Sequence, residues 1–348
     1  MIRTLLDHTT LQAKIKNSLS KPIETNIGAP QGDSLSPVLF TIYLELAMKE
    51  LRTKTPRGEE ENIPHEIIYA DDTDFISKTI ETLNNILNES SEILGEWSLC
   101  VNVNKTERTK IRREENKENE TWRDTKKLGS LLGDYEDLQR RKQLAAASFN
   151  KLWKLWKGKI REKKRLLLYE TPITPILRYN ACTCALTQAQ IQELESFRRK
   201  QLRSIIGIHY PSKISNENLY KRCGTGELAP TIRVARWKMV GHTLRMADDI
   251  PAKQAMLHYF SEIPKNKSFK GRPRTSLPIV LNQDLKLANE QLNLQTSGII
   301  LPTQIKNLKD LRKLEDAAKN RKVWKLFAEN MQVIKRKPKK PESDDEKQ

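Results

Sequence analysis

Cysteine is scarce in this sequence, and no long hydrophobic run is present. The four cysteines include no Cys-x-x-Cys pair and lack the spacing of a disulfide framework, which favours a reducing intracellular compartment, nuclear or cytoplasmic. Cys182, Cys184, His209 and Cys223 also lack the spacing of a zinc site. No apolar stretch approaches the roughly 18 residues of a membrane span, and the start, MIRTLLDHTT, lacks the apolar core of a signal peptide.

Aromatic residues are also few, at 6%, whereas charged residues make up 30% of the 348 positions and leave a net charge of +18. This composition predicts two or three domains with small hydrophobic cores and much exposed helical surface. The positive excess favours a polyanionic partner, with nucleic acid as the first candidate and an acidic membrane surface as the second.

Residues 1–110 show both helical and strand periodicity. A helix is predicted from an N-cap at Ser36 with Pro37 in its first turn. A strand-like run, IIYADDTDFIS (67–77), follows a polar loop, and a second amphipathic helix and a short alternating strand come after it. The apolar residues expected to face the core are Leu39, Ile42, Tyr43, Leu46 and Ala47 in the first helix, Ile80, Leu83, Leu87, Leu94 and Trp97 in the second, and Leu99, Val101 and Val103 in the strand.

The remainder of the chain is mainly helical by pattern. Residues 110–125 have almost no apolar content and are predicted to form an exposed loop or hairpin tip. A helix is predicted from about Gln188 to a stop near Gly207. The C-terminal end, 335–348, contains blocks of like charge and is expected to be a disordered tail. Its KRKPKK run is consistent with either a nuclear-import patch or a solvated tail.

Two adjacent aspartates, Asp71 and Asp72, lie inside the apolar run 67–77. One interpretation is an ordinary hairpin whose turn contains aspartate, a residue that favours turns. The flanking Ile, Tyr and Phe residues favour a second interpretation, in which the end of a buried hairpin presents two carboxylates to a divalent cation. Adjacent carboxylates repel each other, and a hard cation such as Mg²⁺ with oxygen ligands removes that cost.

Positive charge is concentrated in residues 105–165, which hold 20 Lys/Arg against 10 Asp/Glu. Within them, KLWKLWKGKIREKKR (151–165) places eight basic residues beside two tryptophans. One interpretation is an amphipathic helix with a solvated cationic face and its tryptophans in the core. The other is a phosphate-binding surface, because unbalanced like charges on one helix are unfavourable unless an anion offsets them. The apolar stripe expected to face the core is Phe149, Leu152, Trp153, Trp156 and Ile160.

Four short motifs follow one another within the first 133 residues of the chain. They are GAPQGDSLSPVLF (28–40), YADD (69–72), NKTE (104–107) and KKLGSLLG (126–133). In order, they resemble palm motifs B, C, D and E of the reverse transcriptases of non-LTR, LINE-type retrotransposons. LYETPITPILRYN (168–180) and RWKMVGHTLRM (236–246) with GRPR (271–274) resemble the C-terminal region of the same elements.

The resemblance implies an RNA-directed DNA polymerase that uses Mg²⁺ (or Mn²⁺) and deoxynucleoside triphosphates. Asp71 would be a metal ligand and Asp72 its more peripheral partner. Lys105 would contact the phosphates of the incoming nucleotide and protonate the leaving pyrophosphate, although a lysine at a strand end is more often simply solvated.

The resemblance also assigns residues that contact the template, the primer and the nucleotide. Gln31 and Gly32 would lie near the template or incoming nucleotide, because a missing side chain at Gly32 lets a base pair approach the backbone. Tyr69 would lie beneath the primer terminus, beside Ala70. In the thumb that the resemblance implies, basic side chains grip the template–primer duplex through its phosphates. The residues assigned to this role are Lys154, Lys157, Lys159 and Arg161.

The family's third metal-binding carboxylate, in motif A, is not found among the residues before motif B. Asp7 is the only aspartate before Asp33, and it lies too close to motif B. The fingers are missing too, so we expect a truncated gene product that is inactive alone. An unrelated basic helical protein would require the four motifs to be coincidence. The alternative within the family is a non-catalytic, element-derived remnant that binds nucleic acid.

The expected fold class is α+β, with a partial palm of antiparallel sheet and helices followed by helical domains. The expected boundaries are 1–125 for the palm, 126–210 for the thumb, 211–334 for a helical C-terminal domain and 335–348 for the tail. The expected partners are an RNA template with a DNA primer, or their hybrid, and no membrane. The sequence leaves the oligomeric state open.

Overall fold

Short antiparallel strand pairs and many helices make up the computed structural model, which describes residues 10–24, 32–55, 64–114, 119–261, 274–291 and 301–333. This mixture confirms the predicted α+β class. The chain forms two compact units, residues 1–107 and 108–348. The palm, thumb and C-terminal boundaries remain predictions, and the tail 335–348 and Asp7 lie outside the described residues.

The N-terminal unit contains three strand pairs and two helices among its described residues. Its elements are β1 (Thr10–Leu11), β2 (Lys14–Ile15), β3 (Ser18–Leu19), β4 (Ile23–Glu24), α1 (Ser36–Lys54), β5 (Glu66–Tyr69), β6 (Asp72–Phe75) and α2 (Ile80–Glu96). Strand β1 pairs with β4, β2 with β3 and β5 with β6, all antiparallel.

Helix α1 begins where the sequence predicts, but a different face is buried. Its N-cap position is Leu35, not Ser36, and Leu35 donates its backbone N–H to the carboxylate of Asp33 at 3.3 Å. Most of the expected core residues of α1 are exposed because α2 packs against a face rotated toward other positions. The buried side chains are Leu44, Ala47, Met48 and Leu51 in α1, and Ile86, Ser90 and Ile93 in α2.

The strand predicted at 99–103 is wrong. Residues Val103–Lys105 form a 3-10 turn instead, and Val103 is exposed. The cause is local: the side chain of Asn102 accepts a hydrogen bond from the backbone N–H of Lys105 at 3.2 Å. A side-chain acceptor of this kind offers the backbone an alternative to strand pairing.

The described residues of the C-terminal unit are mainly helical. One hairpin, β7 (Lys126–Lys127) with β8 (Ser130–Leu131), precedes the helices. These are α3 (Asp134–Lys151), α4 (Trp153–Lys157), α5 (Glu162–Glu170), α6 (Ile173–Arg178), α7 (Gln188–Ile205), α8 (Asn216–Cys223), α9 (Leu228–Leu244), α10 (Pro251–Phe260), α11 (Leu277–Gln291), α12 (Leu308–Lys319) and α13 (Arg321–Asn330).

Helix α7 confirms the prediction of a helix from Gln188 to Gly207. Thr187 and Gln190 form a capping box at its start, in which each side chain bonds the backbone N–H of the other residue. Gly207 follows the last turn with a φ of 73°, the left-handed conformation that glycine adopts without steric cost.

Two hydrophobic clusters stabilise the C-terminal unit. The first lies within residues 138–232 and includes Trp156, Tyr169 and Leu202. The second lies within residues 237–331 and is centred on the aromatic side chains of Trp237, Trp324 and Phe327. Helix α9 contributes to both clusters, so it joins them.

The expectation that residues 110–125 form a fully exposed loop is wrong at Glu120. This side chain is buried and pairs with Arg123 at 2.6 Å and with Arg274 at 2.5 Å. Burial raises the pKa of the Glu120 carboxyl, but hydrogen bonds from Arg274, the backbone of Glu114 and Arg123 outweigh it and hold the pKa at about 2. The loop is therefore fixed by a charged anchor to the segment that leads into α11.

No described helix combines the length and the apolar character needed to cross a bilayer.

Candidate active-site hairpin and nucleic-acid interface

The two aspartates lie at the turn of the hairpin β5–β6, as predicted. Tyr69 pairs with Asp72 across the strands, so Ala70 and Asp71 form a two-residue turn. Ala70 has a φ of 54°, which two-residue hairpin turns require at their first central position. A non-glycine residue in this conformation is strained, and such strain is concentrated at functional sites.

The two faces of the hairpin have different roles. Ile68 and Phe75 pack against the core formed by α1 and α2. Arg52 of α1 holds Glu66 at the start of β5, with its Nε 2.7 Å from the carboxylate. Tyr69 lies on the opposite face and is 64% exposed. Phe75 therefore faces the core of the N-terminal unit, whereas Tyr69 is directed away from it.

The carboxylates of Asp71 and Asp72 are both exposed at the tip of the hairpin. Within the described residues, no group of three His, Cys, Asp or Glu side chains is placed to hold a metal. Two exposed carboxylates still suit Mg²⁺, which proteins commonly hold through one or two carboxylates together with the phosphates of a substrate. The donor set at the turn therefore fits a cation that arrives with a nucleotide.

The other residues assigned to the polymerase site lie at separate places along the N-terminal unit. Gly32 is exposed and has a φ of 92°, and no atom lies within 4 Å of the position that a Cβ would take. Lys105 is exposed and ends the 3-10 turn rather than a strand. Gln31 lies outside the described residues. Among the described residues, neither Gly32 nor Lys105 forms a hydrogen bond or ion pair with Asp71 or Asp72.

The basic segment 151–165 is not one continuous helix. The chain bends at Leu152, forms the five-residue helix α4, and leaves the helical conformation at Gly158 before α5 begins. The four side chains assigned to phosphate contacts are all exposed, and none forms an ion pair within the described parts of the chain. They are Lys154, Lys157, Lys159 and Arg161.

Four other basic side chains within or near this segment have acidic or carbonyl partners. Lys142 pairs with Glu193 at 2.5 Å, Arg198 with Glu170 at 2.8 Å and Arg222 with Glu162 at 2.8 Å. Arg165 donates to the carbonyl of Trp156 at 2.7 Å. Lys154, Lys157, Lys159 and Arg161 have no ion-pair partner among the described residues, and the same holds for Lys151, Lys163 and Lys164 of this segment.

The sequence pattern placed both tryptophans of this segment in the core, but the structure buries only one. Trp156 is buried, stacks on Phe149 with ring centroids 5.1 Å apart and donates to its carbonyl at 2.8 Å. Trp153 is 51% exposed, and the ammonium of Lys157 lies 5.1 Å from its ring centroid. Leu152 separates α3 from α4, so Trp153 does not continue the Phe149 face of α3 as part of one straight helix.

Residues 1–133 match a family model with the description reverse transcriptase (RNA-dependent DNA polymerase). The resemblance to reverse transcriptases is confirmed for this segment. It contains the hairpin with Asp71 and Asp72 and ends directly before α3, so the basic segment 151–165 lies outside the match. No curated protein matches the chain. The narrower assignment to LINE-type elements and the interpretation of the residues after 133 remain predictions.

Proposed function

We propose that this chain binds an RNA–DNA template–primer duplex through the basic segment 151–165, as part of a LINE-type reverse transcriptase. In the same proposal, Asp71 and Asp72 hold Mg²⁺ (or Mn²⁺) together with a deoxynucleoside triphosphate. The observation that carries the binding function is the set of exposed cations at 154, 157, 159 and 161 that have no ion-pair partner among the described residues. Because no acidic side chain among the described residues offsets these charges, a polyanion is the partner that stabilises them.

Duplex phosphates fit this surface better than base edges do. Lysine acts as a flexible point charge on phosphate, whereas base recognition is typically made by side chains with a fixed pair of hydrogen-bonding groups. Contacts of this type position a protein on a duplex without reading its sequence. Binding is therefore expected to be independent of sequence.

The chemistry assigned to the hairpin is nucleotidyl transfer to a primer 3′-hydroxyl. When bound, the metal would neutralise charge on the nucleotide phosphates and assist the attacking hydroxyl. Asp71 and Asp72 supply carboxylate oxygens at the tip of a hairpin that is fixed by Ile68, Phe75 and the Arg52–Glu66 contact. Tyr69 offers an exposed aromatic face beside them.

Binding to an RNA–DNA hybrid should weaken steeply as the salt concentration rises. Each phosphate contact contributes about −0.9 to the log–log slope for B-DNA, so three contacts contribute roughly −2.7. Replacing Lys154, Lys157 and Arg161 with alanine should weaken binding to every sequence alike and flatten the slope by up to about that amount. Fluorescence anisotropy titrations at several salt concentrations measure both quantities.

A matched control removes three exposed cations that do have acidic partners. Lys221, Lys313 and Lys319 pair with Glu217, Asp310 and Asp316 on the surface of the same unit. Replacing these three with alanine changes the net charge by the same amount and should leave the slope close to that of the wild type. If both triple variants flatten the slope equally, only the overall charge matters, and the assignment of the basic segment is wrong.

Primer extension on an RNA template with Mg²⁺ should be undetectable with this chain alone. The resemblance implies a third metal-binding carboxylate, and we assign only Asp71 and Asp72 to the metals. Incorporation of labelled nucleotide that disappears in Asp71→Ala would contradict this expectation and reveal a further ligand. Asp71→Ala should leave duplex affinity and its salt slope unchanged. This result would separate nucleotidyl transfer from duplex binding.

A further inference from the structure

The side chain of Trp153 is the one large aromatic group that the basic segment exposes. Single exposed apolar side chains are common on protein surfaces and need no explanation by themselves. Trp153 differs because Lys154 and Lys157, which are exposed and form no ion pair with any described residue, neighbour it in the same short helix, and Lys159 follows. An aromatic face beside cations is the combination that binds nucleic acid strands by stacking and charge together.

The local structure keeps this indole outward. Trp156, one turn further along, is buried at 5% exposure and fixed by its stacking on Phe149 and by its hydrogen bond to the Phe149 carbonyl. Arg165 also bonds the Trp156 carbonyl. With Trp156 anchored in the core, the short helix α4 has no freedom to rotate Trp153 inward. The exposure of Trp153 is thus set by its buried neighbour.

We infer that Trp153 stacks on an unpaired base of a single-stranded nucleic acid segment while the neighbouring lysines contact its phosphates. This inference rests on the proposed function and extends it, because phosphate contacts alone do not distinguish a duplex from a single strand. Stacking on Trp153 requires a base that is not paired, as in a template overhang next to the duplex. The chain should therefore prefer a junction between duplex and single strand over a blunt duplex.

A membrane surface fits the same segment less well. Helices that lie in a bilayer interface present a broad apolar face, whereas α4 has only five residues. Of its other apolar side chains, Leu155 is half-buried and Trp156 is buried. A single indole remains for the lipid, so the apolar area is too small for an interfacial helix.

The test compares Trp153→Leu with Trp153→Phe in the full chain. Leucine keeps an apolar side chain but has no aromatic face, whereas phenylalanine keeps a face for stacking. Stacking of one base on an aromatic side chain corresponds to an affinity ratio of roughly 5- to 150-fold. Trp153→Leu should lose about this factor for a hybrid with a single-stranded template overhang, and Trp153→Phe should lose much less. Both variants should change binding to a blunt hybrid, and its salt slope, far less than Trp153→Leu changes binding to the overhang hybrid.

Anisotropy titrations with the two oligonucleotides, and flotation with vesicles containing phosphatidylserine, measure these effects. The stacking assignment would be overturned if Trp153→Leu lost affinity equally for the blunt and the overhang hybrid, or lost affinity for neither. It would also be overturned if Trp153→Leu released the chain from vesicles while oligonucleotide binding stayed unchanged. If wild type binds neither oligonucleotide in a salt-dependent way, the proposed function itself fails. Salt-dependent wild-type binding that is indifferent to Trp153 overturns only this inference.

Discussion

Asp284→Asn should destabilise the C-terminal unit by about 3–5 kcal/mol, the usual cost of breaking a buried ion pair by removing one partner. Asp284 lies on α11, and its two carboxylate oxygens accept hydrogen bonds from Arg233 at 3.2 Å and from Arg236 at 2.9 Å. All three side chains are almost completely buried. Because a guanidinium does not lose its proton in proteins, the variant removes the carboxylate that neutralises charge beside two buried arginines.

Burial already acts against the charged form of Arg233 in the wild type. It lowers the pKa of Arg233, while the carboxylate of Asp284 acts in the opposite direction. Asparagine keeps the volume and one acceptor oxygen of Asp284, so the loss measured by urea unfolding reports on the charge and not on a cavity. The ion pairs of Asp284 with Arg233 and Arg236 join α9 to α11. Circular dichroism should therefore show that the variant loses helix at a lower urea concentration than the wild type.

The control for Asp284 is an aspartate of the same unit that forms its ion pair at the surface. Asp316 contacts Lys319 at 2.7 Å with both side chains about two-thirds exposed, and such pairs contribute roughly 0–1 kcal/mol. Asp316→Asn should therefore leave the unfolding midpoint nearly unchanged. Similar midpoints for the two variants would show that Asp284 does not hold the two helices together.

Gly241→Ala should also destabilise the C-terminal unit strongly. A Cβ at this position of α9 would lie 1.9 Å from Nε1 of Trp324, which is itself buried. Overpacking of a close-packed core costs about 1–3 kcal/mol. Displacing the indole would also break its 2.8 Å hydrogen bond to the carbonyl of Trp237, and an unsatisfied buried group costs about 1–3 kcal/mol more. Thermal unfolding followed by circular dichroism measures the shift.

Gly95 provides the matched comparison because it is also a helical glycine. No atom lies within 4 Å of its Cβ position near the end of α2. Alanine has the higher helix propensity by up to about 1 kcal/mol, so Gly95→Ala should leave the melting temperature unchanged or raise it. If Gly241→Ala behaves like Gly95→Ala, the indole of Trp324 does not pack against α9 as described.

Much of the candidate site could be predicted from local sequence. The hairpin at 66–75 follows from two apolar runs around a turn of two residues, and its tip carries Asp71 and Asp72. Helix α7 follows from a cap at Thr187 and a stop at Gly207. The four ordered motifs indicated a reverse transcriptase, in agreement with the match of residues 1–133. These features depend on neighbours within a few positions, where turn and cap chemistry act.

Contacts between distant residues decided the rest. Helical periodicity marked Ile42 and Leu46 of α1 as core residues, but the position of α2 buried Leu44 and Met48 instead. Glu120 became an anchor because Arg274, 154 positions later, reaches it. A pattern that repeats every few residues identifies which side chains are apolar or charged, but it does not contain the position of the partner element.

Trp153 and Trp156 show the same division within one short helix. The sequence by itself determined that two tryptophans and a run of cations occur together between residues 151 and 165. Only the tertiary structure decided that Trp156 fills the core against Phe149 while Trp153 stays exposed beside Lys157. The physical reason is that burial depends on contacts outside the short helix, here the Phe149 ring and carbonyl that hold Trp156, and the helical period does not contain them.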